Sequence, residues 1–242
     1  MSALPDTAMV LAAGLGTRMR PLTDDRPKAL VQVAGRALID HVLDRCVEAG
    51  VKRAIVNVHA FADLLEAHLK RRNDIEIIIS DERAVLMETG GGVRQARALL
   101  GDKPIIISNI DSVWSEPQGS AMARLARGFD PSRMGAQLLL AAMDQQLGYD
   151  GAGDFFMDEH GALMFRDALP HTPWAYMGVQ IIEPSVLDEE PLEPFSFTRV
   201  WRRLARQGRL FGAPLHGYWM HVGDPRAKEE AEARLAAAAL AL

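Results

Sequence analysis

The chain reads as an α/β protein on a doubly wound, mostly parallel sheet, with antiparallel strands added in its C-terminal half. Three observations lead there. Short apolar β-type runs alternate with amphipathic helical stretches as far as Asp111. A glycine-rich turn follows the first run directly. After about Gly128 the alternation gives way to strand–turn–strand patterns.

In order, Ala8–Ala13 is the first strand, and "ALIDHVLDRCVEAG" is an amphipathic helix closed by Gly50. Arg53–Val58 is a buried strand. "FADLLEAHLKRR" is a helix with Phe61, Leu64, Leu65 and Leu69 in step, and Ile75–Ser80 is a third strand. "GGVRQARALL" opens a helix on glycines, and "KPIIISNID" is a fourth strand running into Asp111. "GAQLLLAAM", "GDFFMDEHGALMF" and "WAYMGVQIIE" follow as strands, with a hairpin turn at Asp158–Gly161. A helix over Phe197–Gln207 and two short strands in "RLFGAPLHGYWMHVG" come next. The last element is a helix with Pro225 in its first turn. No linker or internal repeat divides the chain. It is therefore read as one domain over 1–242, with halves at about 1–128 and 129–242.

Composition narrows the partners. Of 242 residues, 48% are hydrophobic and 24% charged, and the net charge of −5 argues against gripping nucleic acid or an acidic membrane. The basic residues at Lys70–Arg72 and at Arg202, Arg203 and Arg206 lie among acids and read as solvated helix faces. The single cysteine, Cys46, falls in step with Ile39, Val42 and Leu43 and reads as core. One cysteine forms no internal disulfide, and "MSALPDTAMV" has no basic region before an apolar run. Both point to the cytoplasm.

The first turn carries the chemistry. In "MVLAAGLGTRMRPLTDDRPKAL" a strand empties into Gly14-Leu15-Gly16-Thr17-Arg18, and Lys28 follows behind Pro27. Glycines let backbone N–H groups approach phosphate oxygens. Met19 stands where the dinucleotide fingerprint needs its third glycine, and the P-loop pattern is absent. A nucleoside triphosphate carries roughly four negative charges and a phosphate monoester about two. A glycine turn, an arginine and a lysine offset the repulsion of bringing them together. Asp111, at the end of the fourth strand, falls on the sheet edge that bears the glycine turn. Mg²⁺ uses one or two such carboxylates plus substrate phosphates.

Together, "LAAGLGTRMRPLT" and "RPKALVQVAGRALIDHVL" resemble the signature of the nucleotidyltransferases that act on sugar 1-phosphates, a Rossmann-like family. "ETGGGVRQA", "SNIDSVW" and "GYWMHVGDP" extend the likeness over most of the chain. "ETGGG" and "GDFF" look most like its N-acetylmuramate 1-phosphate uridylyltransferase branch. The resemblance implies transfer of a nucleotidyl group from a nucleoside triphosphate, UTP being favoured, to a sugar 1-phosphate, with release of pyrophosphate. GTP with mannose 1-phosphate, CTP with phosphocholine, and a catalytically silent nucleotide-binding regulator are the alternatives. The implied protein is a monomer or weak homo-oligomer.

Residue by residue, the resemblance implies that Leu11, Ala12, Ala13, Gly14, Gly16, Thr17 and Arg18 hold the nucleotide. Arg18 and Lys28 would face the phosphates, and Thr89, Gly90 and Gly91 would lie against the base. Asp111 would bind Mg²⁺, or Mn²⁺, and Asn109 and Asp154 would touch the sugar. Where the family offers a second metal aspartate in "W-x-D-V-G-T-P", this chain reads Trp219-Met220-His221-Val222-Gly223-Asp224-Pro225. Imidazole suits Mn²⁺ or Co²⁺ better than Mg²⁺. His221 as ligand, Asp224 as substitute, or Asp111 with phosphates alone are the three readings. Asp224 before Pro225 also makes a good helix N-cap, the reading favoured here. Ile110 stands where a glycine is common; His59 reads as a crevice ligand or a helix cap, Glu88 as a residue that orders the glycine loop or is solvated, and Tyr149, Phe155 and Phe156 as sugar-pocket lining or, more commonly for alternating strand aromatics, core.

Overall fold

The computed structural model describes residues 5–240; residues 1–4 of the N-terminal stretch, and 241–242 beyond the last helix, lie outside it. The first half contains β1 (Thr7–Leu11), β2 (Gln32–Val33), β3 (Arg36–Ala37), α1 (Leu38–Glu48), β4 (Arg53–Val58), α2 (Ala62–Leu69) and β5 (Glu76–Asp81). It continues with α3 (Glu88–Gln95), α4 (Arg97–Leu100), β6 (Ile105–Asn109), β7 (Ser112–Ser115) and α5 (Ala121–Gly128). The second half contains β8 (Ala136–Ala142), β9 (Gln146–Leu147), β10 (Phe155–Met157), β11 (Leu163–Phe165) and β12 (Trp174–Ile182). It ends with α6 (Thr198–Arg206), β13 (Leu210–Pro214), β14 (Tyr218–His221) and α7 (Pro225–Leu240).

β1, β4 and β6 are mostly apolar because both of their faces are covered. Ala8, Val10, Ala54, Val56 and Ile106 point to a core shared with Leu38, Val42, Leu43, Leu65 and Leu69 of α1 and α2. Their neighbours Met9, Ile55, Ile105 and Ile107 point to a second core with Val93, Leu100, Val200 and Leu204. Cys46 lies fully inside the first core, and burial pushes its thiol up to about 12, which keeps it inert at neutral pH.

The main sheet runs β11-β10-β12-β6-β1-β4-β5, with β8 also on β12 and β13 on β8. β1, β4, β5 and β6 are parallel; β12 joins β6 antiparallel, pairing Val179 with Ser108. The chain moves outward from β1 through β4 to β5, then returns to the other side of β1 as β6. That reversal opens a crevice beyond the carboxyl ends of β1 and β6, where Leu11 and Asn109 are registered partners. The expected class is observed.

A small second sheet, β7-β14-β9, sits next to this edge and pairs His221 with Ser112. The sequence pattern announces neither this sheet, nor the β2–β3 hairpin, nor α5. The "TGGG" helix also begins earlier than its glycines suggest, at Glu88. Among the described residues no helix is long and apolar enough to cross a membrane.

Candidate active site

The crevice encloses about 290 Å³ and brings together most of the expected residues: Leu11, Ala13, Gly14, Gly16, Thr17, Arg18, Lys28, Thr89, Asn109 and Asp111 all line it. Its floor is the turn after β1. Gly16 adopts φ 63°, and a Cβ there would come 2.9 Å from Lys28 Cβ, so glycine lets the lysine stem pass beneath the turn. Gly14 has open space before it. The amides of Ala12 and Ala13 donate to Asn57 Oδ1 at 2.6 and 3.3 Å and are thereby engaged within the protein; Ala13 lines the crevice and Ala12 does not. Among the described residues, the amides from Gly14 to Thr17 have no protein acceptor. They form a run of donors suited to an anion.

Lys28 is only 8% exposed, and its Nζ lies 2.9 Å from Asp111 Oδ2. Pairing of β14 with β7 brings His221 Nε2 to 3.5 Å from the same oxygen, and Val222 N–H donates to the Asp111 carbonyl. Withdrawal from water alone would raise the Asp111 pKa, but Lys28 and His221 hold the carboxyl well below the usual carboxylate range. His221 is raised: loss of water lowers it, but Asp111 and the Gly148 carbonyl outweigh that. Its Nδ1 lies 3.0 Å from Gly148 O and so carries a proton, which turns Nε2 toward Asp111. Arg18 is exposed on the rim near Gly223 and, among the described residues, pairs with no carboxylate.

The opposite wall is the start of α3. Gly90 and Gly91 both donate their amides to Phe195 O, at 2.8 and 3.0 Å, and neither lines the crevice. A Cβ on Gly90 would enter the Phe195 ring, and one on Gly91 would meet Glu193 O. Their missing side chains therefore answer to packing against residues 193–195, and their amides, expected to face a base, are taken up by Phe195 O. Glu88 and Thr89 form the wall instead, Glu88 at φ 60°. Sequence reading misses Asn57 and Glu82, which also line the crevice; Asn57 is a lone polar residue near the end of an apolar strand, whereas Glu82 follows β5 within the polar run Ser80–Arg83 and carries no local signal.

Asn109 and Ile110 stand in the crevice wall, but Asp154 does not. Its Oδ1 accepts from Tyr149 Oη at 3.0 Å and its Oδ2 from Tyr176 N–H at 2.9 Å. It lines a separate hollow of about 270 Å³ with Arg166, Trp201 and Arg202. Phe155 is core, and His59 holds the Glu82 carbonyl through Nδ1 at 2.7 Å without lining the crevice.

Residues 7–144 match the family model described as Nucleotidyl transferase. Over 98% of its length the chain is 54% identical to the whole of an N-acetylmuramate alpha-1-phosphate uridylyltransferase from Caulobacter vibrioides. The chain belongs to the nucleotidyl transferase family. A protein of the same description from Neisseria meningitidis is 32% identical, over 93% of this chain and 96% of that one. A UTP-bound UGPase from Acinetobacter baumannii shares the fold at TM-score 0.75 and 18% identity, covering 95% of this chain and 93% of that one.

Within this family the altered C-terminal segment now has a structural account. Asp224 Oδ1 accepts from Ala227 N–H at 2.8 Å, capping α7. Replacing it with alanine is expected to cost about 1 kcal/mol of stability and to leave turnover within a few-fold, measured by thermal unfolding beside a pyrophosphate-release assay; loss of turnover without loss of stability would make it a ligand. Asp111 and His221 fit a divalent ion as one oxygen and one nitrogen donor that converge. Among the described residues no third acidic, histidine or cysteine group joins them, so substrate oxygens and water would complete the shell.

Proposed function

We propose that the protein transfers the uridylyl group of UTP to N-acetylmuramate 1-phosphate and releases pyrophosphate, in the cytoplasm. The observation that carries this reading is the convergence of the unpartnered amides of the first turn, Arg18, Lys28 and Asp111 on one crevice. The choice of substrates rests on the full-length likeness to the uridylyltransferase.

In this reading the amides from Gly14 to Thr17 take the phosphates, with Arg18 and Lys28 beside them. The uracil lies against Glu88 and Thr89, and the sugar extends past Asn109 and Ile110 toward the hollow that holds Asp154. A phosphate oxygen of the sugar attacks the α-phosphorus in line; a new P–O bond forms as the bond to the β-phosphate bridging oxygen breaks. That oxygen carries its electron pair away with pyrophosphate. The attacking oxygen is already anionic at neutral pH, so positioning and charge neutralisation suffice without a protein nucleophile. Asp111 and His221 would hold Mg²⁺ or Mn²⁺, which supplies further neutralisation of the phosphates when bound. Lys28 Nζ has three donors, so it can face the phosphates beside Asp111.

The test is pyrophosphate release from UTP, CTP, GTP and dTTP, each with N-acetylmuramate, N-acetylglucosamine, glucose and mannose 1-phosphates. Turnover is expected to be highest with UTP and N-acetylmuramate 1-phosphate. Preference for GTP and mannose 1-phosphate would reassign the substrates. UTP binding without turnover on any pair would indicate a regulator.

A further inference from the structure

We infer that Asn57 and Glu82 form a buried strut that fixes the distance between the phosphate turn and the base wall, making both positioning residues for the nucleotide. The inference rests on the nucleotide-binding reading above and adds to it how the two walls are held in register.

The two residues end adjacent strands: β4 and β5 run parallel, with Asn57 opposite Ser80 and Val58 opposite Asp81. Asn57 is 3% and Glu82 1% exposed. Asn57 Oδ1 accepts from the amides of Ala12 and Ala13, and its Nδ2 donates to Glu82 Oε1 at 2.7 Å. Glu82 Oε2 then accepts from the Met87 amide at 3.0 Å. A continuous polar chain thus runs from the turn after β1, beneath the crevice, to the residue preceding Glu88. Only one orientation of the Asn57 amide serves it, because the backbone N–H groups require an oxygen and the carboxylate requires an N–H.

Two features indicate that the strut does more than fill space. Among the described residues Glu82 has no cationic partner, and burying a carboxylate on hydrogen bonds alone is costly where apolar side chains would pack as well. α3 also leaves room for it: a Cβ on Gly92 would lie 2.6 Å from Glu82 Oε1 and 3.0 Å from Asn57 Nδ2. Directly after the strut's last contact, Glu88 holds its left-handed φ of 60°, a conformation that a non-glycine residue keeps only where its surroundings impose it.

The hydrogen-bond polarity supplies the test. Glu82→Gln forces a donor against either Asn57 Nδ2 or the Met87 amide, and Asn57→Asp sets one carboxylate against another. The double variant Asn57→Asp/Glu82→Gln restores every bond with one direction reversed. Its carboxylate, now on β4, accepts from the turn amides and from the new side-chain amide, whose own oxygen accepts from the Met87 N–H. Calorimetric titrations with UTP, with uridine and with inorganic tripolyphosphate separate the whole ligand from its two ends.

Each single variant is expected to weaken UTP by about tenfold or more and each isolated end by no more than about threefold; the double variant is expected to recover UTP binding to within about threefold of the unmodified protein. Unchanged UTP affinity in the single variants would overturn the inference. So would parallel weakening of all three ligands with a lowered thermal midpoint and no recovery in the double variant. If a single variant does not fold, the folded double variant decides by its UTP affinity alone. Failure of the unmodified protein to bind UTP would instead remove the nucleotide-binding reading.

Discussion

Asp111→Asn is expected to lower turnover by on the order of 10³-fold while the protein remains folded. The carboxylate is the convergence point of the site, with Lys28 and His221 both on its Oδ2. Asparagine keeps the shape and an acceptor oxygen but removes the charge on which a divalent ion depends. It also leaves the Lys28 ammonium, almost wholly buried, without its counter-charge, so a stability loss of about 1–3 kcal/mol accompanies the change. Metal-free UTP should bind no more weakly than to the unmodified protein, because the substitution removes a negative charge that would face the triphosphate. Steady-state pyrophosphate release, thermal unfolding and UTP titration in chelator together check this. Near-normal turnover would remove Asp111 from the chemistry.

The second large effect falls on Arg18. Arg18→Ala is expected to reduce turnover by roughly 10²–10³-fold, the loss typical when one preorganised donor to developing charge is removed. Stability should hardly change, because the side chain is exposed and has no carboxylate partner among the described residues. Arg18→Lys should recover only part of the rate, since an ammonium restores charge but not the planar fork of donors. A variant with normal kcat and a raised KM would instead make Arg18 a binding group alone.

Much of this site is legible in sequence because local chemistry dictates it. An apolar run emptying into Gly14 and Gly16 is a strand meeting a turn that needs close backbone approach, and the fold puts that turn in the crevice. Asp111 is equally readable as an acid at the end of a buried strand. What is not readable is closure over distance. Nothing local to "YWMH" says that β14 pairs with β7 and sets His221 against Asp111.

The glycines of "ETGGG" are visible, but their reason is not. The surfaces that forbid side chains there are Phe195, the Glu193 carbonyl and the Glu82 carboxylate, all remote or unmarked in the pattern. Asn57 and Glu82 fail to register for a related reason. Asn57, polar within an apolar strand, signals a buried partner without saying which, and Glu82, in the polar run after β5, is told from its exposed neighbours only by the fold.

The most direct measurement is a crystal structure of the protein with UTP and Mg²⁺. The triphosphate is expected along the amides of Gly14 to Thr17, between Arg18 and Lys28, with the uracil on Glu88 and Thr89 and the ion on Asp111. UTP bound outside this crevice, or lying in it with the uracil on the turn after β1 and the phosphates on α3, would contradict it.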